Sequence, residues 1–327
     1  MTDVSRRAFL ATTAVGLGAG LAGPGTPSAI AADDDFTDLV DAHVHVWTPD
    51  TAAWPLAAAF TKADMQPASF TAEELLATCR PHGVSRVVLI QMSFYGFDNS
   101  YMLDCIHRHP PAFAGVAIID HDKPGVAAEM KALKERGVRG FRLYGNRKNA
   151  QAWADSAGMQ AMWECGAEEN LAICLLADPD ALPAIAAQVA RAPKTPVVID
   201  HFARLGMKGG LESNQAQADM ERLLKLADYA EVNVKLSAFY ALGAKQPPYD
   251  DLAPMIRRLR DAYGSKRLMW ATDCPYQLDQ GPAGEAHSYA ASLELVRDRL
   301  DFLSREERLD ILRNTARRMF FDGAAWQ

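Results

Sequence analysis

The feature that most constrains this chain is an alternation that starts at Asp41 and runs almost to the end. A short β-branched apolar run is followed by a polar or Gly-rich loop, then by a longer stretch of helical periodicity. This order builds parallel strands, because each strand must return to the same edge of the sheet through a crossover helix. The sequence predicts strands over 41–47, 86–91, 113–120, 138–144, 172–177, 197–202, 232–237 and 268–273. Amphipathic helices are expected between them, over 127–136, 159–170, 181–191, 218–229 and 252–263. Eight such units within residues 32–327 match a single α/β domain, a (β/α)8 TIM barrel. An open doubly wound sheet is the competing architecture, but no G-x-G-x-x-G follows the first run.

The alternation leaves the first residues unused. Ser5-Arg6-Arg7-Ala8-Phe9-Leu10 precedes a weakly apolar Gly/Ala/Thr run, and Ala29-Ile30-Ala31 forms an A-x-A cleavage site. Residues 1–31 resemble a twin-arginine signal peptide, so the expected mature chain is 32–327, periplasmic or extracellular, with the twin-arginine export machinery as a partner. The run is too short and too rich in glycine to span a bilayer, so no membrane partner is expected for the mature form. Five cysteines, an odd number with no C-x-x-C, argue against a disulfide framework and against a cysteine zinc site. A formal net charge of -7 without Lys/Arg runs argues against nucleic acid.

In a barrel the active site lies at the carboxyl ends of the strands. His43 and His45 are two apart on the first strand, so both imidazoles share one face and can serve one metal or one oxyanion. His201 ends the sixth strand and Asp273 the eighth. Burying three imidazoles and a carboxylate together is costly unless they hold a ligand or move a proton. Arg142, at the end of the fourth strand, is suited to pair with a carboxylate, which suggests a small anionic substrate. Arg204 and Arg147 are further cations near the mouth. Gln91, Ser93, Tyr95, Asn99, Tyr144 and Ser237 are expected as neutral hydrogen-bonding contacts to substrate. His82, His107 and His109 read as surface residues, His121 and His287 as groups behind the site, and Cys274 as packing. The apolar stripes of 288–300 and 306–321 suit either a homodimer or closure of the barrel.

The motifs DAHVHVW (41–47), GVRGFRL (137–143), VVIDHFARL (197–205), VKLSAF (234–239) and ATDCP (271–275) resemble, in order, the lactonase branch of the amidohydrolase superfamily. The resemblance implies a metal-dependent-hydrolase-like barrel whose relatives open pyrone-dicarboxylate, sugar-acid and sulfomuconate lactones. Binuclear members carry a bridging Lys or Glu on the fourth strand and a His on the fifth, where this chain has Arg142-Leu143-Tyr144 and Ala177-Asp178. The expected cofactor is therefore either none or one divalent, zinc-type ion at His43, His45 and Asp273. The implied chemistry is lactone hydrolysis. Asp273 acts as general base on water, and His43, His45 and His201 polarise the carbonyl directly or through a metal. A metal-dependent decarboxylase or hydratase, and a non-catalytic exported binding protein, are the competing readings.

Overall fold

A computed structural model describes residues 36–207, 210–278 and 287–322; the signal-peptide expectation for 1–31 lies outside them. Eight strands form one parallel sheet in sequence order. They are β1 (Leu39–Val44), β2 (Val84–Ile90), β3 (Phe113–Ala117), β4 (Val138–Gly145), β5 (Ala172–Ala177), β6 (Val197–Ile199), β7 (Val232–Leu236) and β8 (Leu268–Trp270). The hydrogen bonds that join the first strand to the last are His45 N to Cys274 O (2.8 Å) and Asp273 N to His43 O (2.9 Å). The seam of the barrel is thus sewn by the backbones of three expected site residues.

Two apolar clusters sit on the two faces of the sheet. Leu39, Val44, Val234 and Trp270 pack outward beneath the helices. Val40, Ala42, Ile90, Val116, Val198 and Met269 fill the interior, which Phe320 of the terminal helix Thr315–Phe320 plugs from below. Fully burying one such Phe contributes about 1.5–3 kcal/mol. The C-terminal segments bury Leu295, Val296, Ile311, Leu312 and Phe320 against the barrel. No helix among the described residues is long and apolar enough to cross a membrane.

The strands differ from expectation where function concentrates. β1 starts two residues earlier than predicted and contains a bulge, since Asp41 pairs with Val87 but Val44 with Leu89. That extra residue shifts the pleat phase, so Ala42 and then His43 and His45 face inward while Val44 faces out. β6 and β8 end short of the predicted 202 and 273. The reason is left-handed backbone: φ is 51°, 54°, 55° and 59° from His201 to Arg204, and 68° at Asp273. Such angles in non-glycine residues cost on the order of 1 kcal/mol each and end a strand.

Candidate active site

Asp273 stands at the centre. Its Oδ1 lies 3.4 Å from His43 Nε2, 3.4 Å from His45 Nε2 and 3.8 Å from His201 Nε2. Its Oδ2 accepts a 2.7 Å hydrogen bond from Tyr240 Oη. All four side chains of the cluster are buried. Burial alone would raise the Asp273 carboxyl, but the surrounding imidazoles, His201 foremost with His45 and His43, hold it well below the usual carboxylate range. His43 is pushed well below the usual imidazole value by burial and by Lys235, and His201 is lowered by burial. Near neutrality an ionised Asp273 therefore faces the neutral imidazoles of His43 and His201.

The outer nitrogens of the imidazoles are fixed. His45 Nδ1 is 2.9 Å from the carbonyl of Ile90, which can only accept, so Nδ1 carries the proton and Nε2 offers a lone pair. His201 Nδ1 is 2.8 Å from Ser237 Oγ. His43 Nδ1 meets Lys235 Nζ at 3.3 Å and Asp200 Oδ1 at 3.4 Å, and Lys235 Nζ is 3.0 Å from Asp200 Oδ1. Lys235 and Asp200 are both fully buried. Burial would raise the Asp200 carboxyl, yet Lys235 and His43 hold it well below its ordinary value. Neither Asp200 oxygen has a well-oriented hydrogen bond; the ion pair rests on proximity of charge.

The donor set fits one divalent ion. Two donors at about 2.1 Å from a tetrahedral ion are about 3.4 Å apart, and His43 Nε2 and His45 Nε2 are separated by 3.3 Å. His43, His201 and Asp273 each offer an atom within 4.8 Å of the others, so His201 joins the expected set of His43, His45 and Asp273. Metal at His43 Nε2 requires the proton on Nδ1, donated to Asp200; without metal, Lys235 donates to Nδ1 and Nε2–H points into the cluster.

Behind β1, Asp41 clamps the seam from the other side. Its carboxylate accepts from Thr272 N (3.0 Å), Thr272 Oγ1 (2.6 Å), Tyr289 Oη (2.8 Å) and His43 N (3.2 Å). Burial nonetheless raises its pKa to about 6. An acid raised in the folded state adds stability below its unfolded value near 3.8 and loses it as pH rises through 6. Between about pH 4 and pH 7 the native protein should therefore lose about 3 kcal/mol relative to Asp41→Asn. Denaturant titrations of both proteins across that range check this; parallel pH dependences would contradict it.

A cavity of about 440 Å3 opens beside the cluster, lined by His45, Gln91, Met92, Ser93, Ile118, Arg142, Tyr144, Leu176 and Tyr276. A larger groove, of about 980 Å3, runs past Trp54, His107 and Arg136 and contains none of the four cluster residues; the chemistry belongs to the smaller one. Arg142 is half-buried and forms no ion pair or hydrogen bond among the described residues, while its charge reaches His201 and Tyr276.

Not every expected contact is brought to this cavity. Ser237 is fully buried and serves His201. Tyr95 Oη accepts from Thr48 N, and Asn99 ties Phe97 O to both backbone groups of Ile118, so both brace loops. Arg204 donates to Asp178 Oδ1 at 2.7 Å and lines a separate cavity. Gln91 lines the site but spends its amide on Asp98 O. Tyr144 stands on the rim, bonded to Asp178 Oδ2 at 3.3 Å. Cys274 is a buried thiol pushed well above its ordinary pKa by burial, which suits packing and not nucleophilic attack. His287 Nδ1 bonds Tyr249 Oη at 2.8 Å, and its ring meets Tyr240 edge-on, one residue removed from Asp273. Asp200, Lys235 and Tyr240 are the site residues the sequence reading missed.

Residues 40–321 match the amidohydrolase family. The chain is 30% identical to a 4-sulfomuconolactone hydrolase from Rhizobium radiobacter over 236 residues, covering 72% of this chain and 75% of that protein. It is 27% identical to an L-fucono-1,5-lactonase from Burkholderia ambifaria over 267 residues, 81% of this chain and 89% of the relative. Among solved structures, a Pseudomonas putida protein described as a 2-pyrone-4,6-dicarboxylic acid hydrolase superposes with a TM-score of 0.69 at 27% identity, covering 86% of this chain and 97% of that one.

Proposed function

This chain belongs to the amidohydrolase family, and on that premise we propose that it is a hydrolase that opens the lactone ring of a small, carboxylated sugar-acid or pyrone-type substrate. The observation that carries the reading is the convergence of three imidazoles on Asp273 Oδ1 beside an unpaired guanidinium, Arg142.

The charges dictate the roles. Lactone hydrolysis needs a water that loses a proton and an environment for the oxyanion that grows on the carbonyl oxygen. Asp273, ionised, takes the proton of the attacking water. A carboxylate held this far down is a weak base, so it acts by reach and alignment, helped by polarisation of the carbonyl. In the metal-free arrangement His43 Nε2–H donates to the oxyanion, while the Nε2 lone pair of His45 faces the same point as a ligand for an ion, with His201 beside them. Asp273 then returns its proton to the leaving alkoxide, and the ring opens to a hydroxy acid. A divalent ion bound by His43, His45, His201 and Asp273 would supply Lewis-acid polarisation of the carbonyl. Arg142 holds the substrate's carboxylate, with Tyr144, Gln91 and Ser93 beside it.

The reading is supported further by lactone hydrolases among the relatives in both sequence and structure comparisons. The same proposal includes export: the Arg6-Arg7 motif and the 29–31 cleavage site support passage through the twin-arginine machinery to the periplasm or medium.

The test is proton release by the purified protein against neutral and carboxylated sugar lactones and pyrone carboxylates, with and without added divalent metal. Stoichiometric acid production from carboxylated rings is expected. Silence across the panel from folded, metal-supplied protein would overturn the reading in favour of decarboxylation or hydration on the same barrel.

A further inference from the structure

The lining of the site cavity carries more information than the presence of a cation. Among the described residues Arg142 is the one cation that lines it. The second arginine near the mouth, Arg204, is turned away. Its guanidinium donates to Asp178 Oδ1 at 2.7 Å and approaches Met207 Sδ at 3.3 Å. It lines a neighbouring cavity of about 300 Å3 together with Asp178, Asp180 and Asp219. Asp178 also stands directly behind the rim of the active site, where its Oδ2 accepts from Tyr144 Oη. A second carboxylate on a ligand near Tyr144 would meet an ion pair already formed and no free cation, so it would lose water without gaining a charge partner. Besides Arg142, His45, Ser93 and Tyr276, the wall consists of Gln91 and Tyr144, whose amide and hydroxyl are engaged by Asp98 O and Asp178 Oδ2, and of the apolar side chains of Met92, Ile118 and Leu176. A hydroxyl pressed against those side chains loses water without gaining a partner.

Resting on the lactonase reading above, we propose that the site selects a lactone with a single anionic substituent on a ring poor in hydroxyl groups. Arg142 is the group that binds the anion. Asp178 is the specificity residue: by engaging Arg204 it leaves the rim with no free cation for a second carboxylate. Dicarboxylated pyrones and polyhydroxylated sugar lactones are disfavoured for different reasons, the first because the second carboxylate finds no free cation, the second by the aliphatic side chains and the few free hydrogen-bonding groups of the wall.

The experiment separates binding from turnover. Calorimetry on Asp273→Asn protein measures affinity for unsubstituted pyrone, a pyrone monocarboxylate, a pyrone dicarboxylate and a sugar δ-lactone. The monocarboxylate should bind about tenfold or more tightly than the neutral ring, the scale of one charge-assisted pairing, and at least as tightly as the dicarboxylate, with the sugar lactone weakest. Arg142→Met, introduced beside Asp273→Asn, should erase the advantage of the monocarboxylate, and Arg142→Lys should restore part of it. Arg204→Met should leave the order unchanged. Tighter binding of the dicarboxylate or the sugar lactone, no binding of any ring, or collapse of the order in Arg204→Met would overturn the inference. Turnover of the same four rings by the native protein is read separately. Binding in the expected order without ring opening would overturn the lactonase reading alone, while ring opening in another order would overturn the selectivity alone.

Discussion

Asp273→Asn is expected to reduce kcat by about a hundred- to ten-thousandfold, the usual contribution of a positioned general base, while the protein still folds. The amide removes the basic lone pair and the charge that the three imidazoles surround, but it leaves the frame. Tyr240 Oη can still donate to the side-chain oxygen, and the seam bond from the residue 273 amide to His43 O is a backbone contact. KM should change much less than kcat, because Arg142 and not Asp273 is assigned to the substrate's anion. Steady-state kinetics with thermal unfolding as the folding control check this. A variant that keeps turnover within tenfold of native removes Asp273 from the role of base.

The largest effect on stability is expected at Lys235. Its ammonium is fully buried inside the barrel, 3.0 Å from Asp200 Oδ1, 3.3 Å from His43 Nδ1 and 5.8 Å from the Phe320 ring. Lys235→Met keeps the length of the side chain and removes the charge, stranding a carboxylate that has no well-oriented hydrogen bond of its own. Breaking one side of a buried pair typically costs about 3–5 kcal/mol, whereas removing both sides costs far less. Chemical denaturation should show that loss for Lys235→Met and recovery of most of it in the double variant with Asp200→Asn. Activity should not recover with stability, because His43 Nδ1 then faces a neutral amide in place of the ammonium and carboxylate that set the position of its proton. Equal stability of the native protein and Lys235→Met would show that the pair does not hold the barrel floor beneath the site.

Much of the fold was legible because alternation and strand chemistry agree. β5 coincides with its predicted span, 172–177, since its apolar run lies between Asn170, whose left-handed backbone (φ 54°) ends the preceding helix, and Asp178. The ends of β6 and β8 were not legible. Nothing in His201-Phe202-Ala203-Arg204 announces four successive left-handed residues, a conformation that glycine usually marks. The inward pair His43 and His45 was read from its spacing, yet the phase that aims it inward comes from a bulge the sequence does not signal. Lys235 had a signal that could have been used: a lysine within the apolar run 232–236 must either face solvent or find a buried acid, and Asp200 in VVIDHF is that acid. Tyr95, Asn99 and Ser237 show the opposite limit. Polar residues near strand ends resemble substrate contacts in sequence, but their hydrogen bonds go to the loops and to His201 that they support.

The central claim is that water, activated at Asp273, enters the carbonyl carbon and opens a ring. The most direct test follows a turned-over lactone in isotopically labelled water by mass spectrometry of the products, with carbon dioxide monitored at the same time. The account predicts a single hydroxy acid with one labelled oxygen, located in the newly formed carboxylate, and no carbon dioxide. Carbon dioxide release, or a label placed on a ring carbon with the lactone intact, would contradict it.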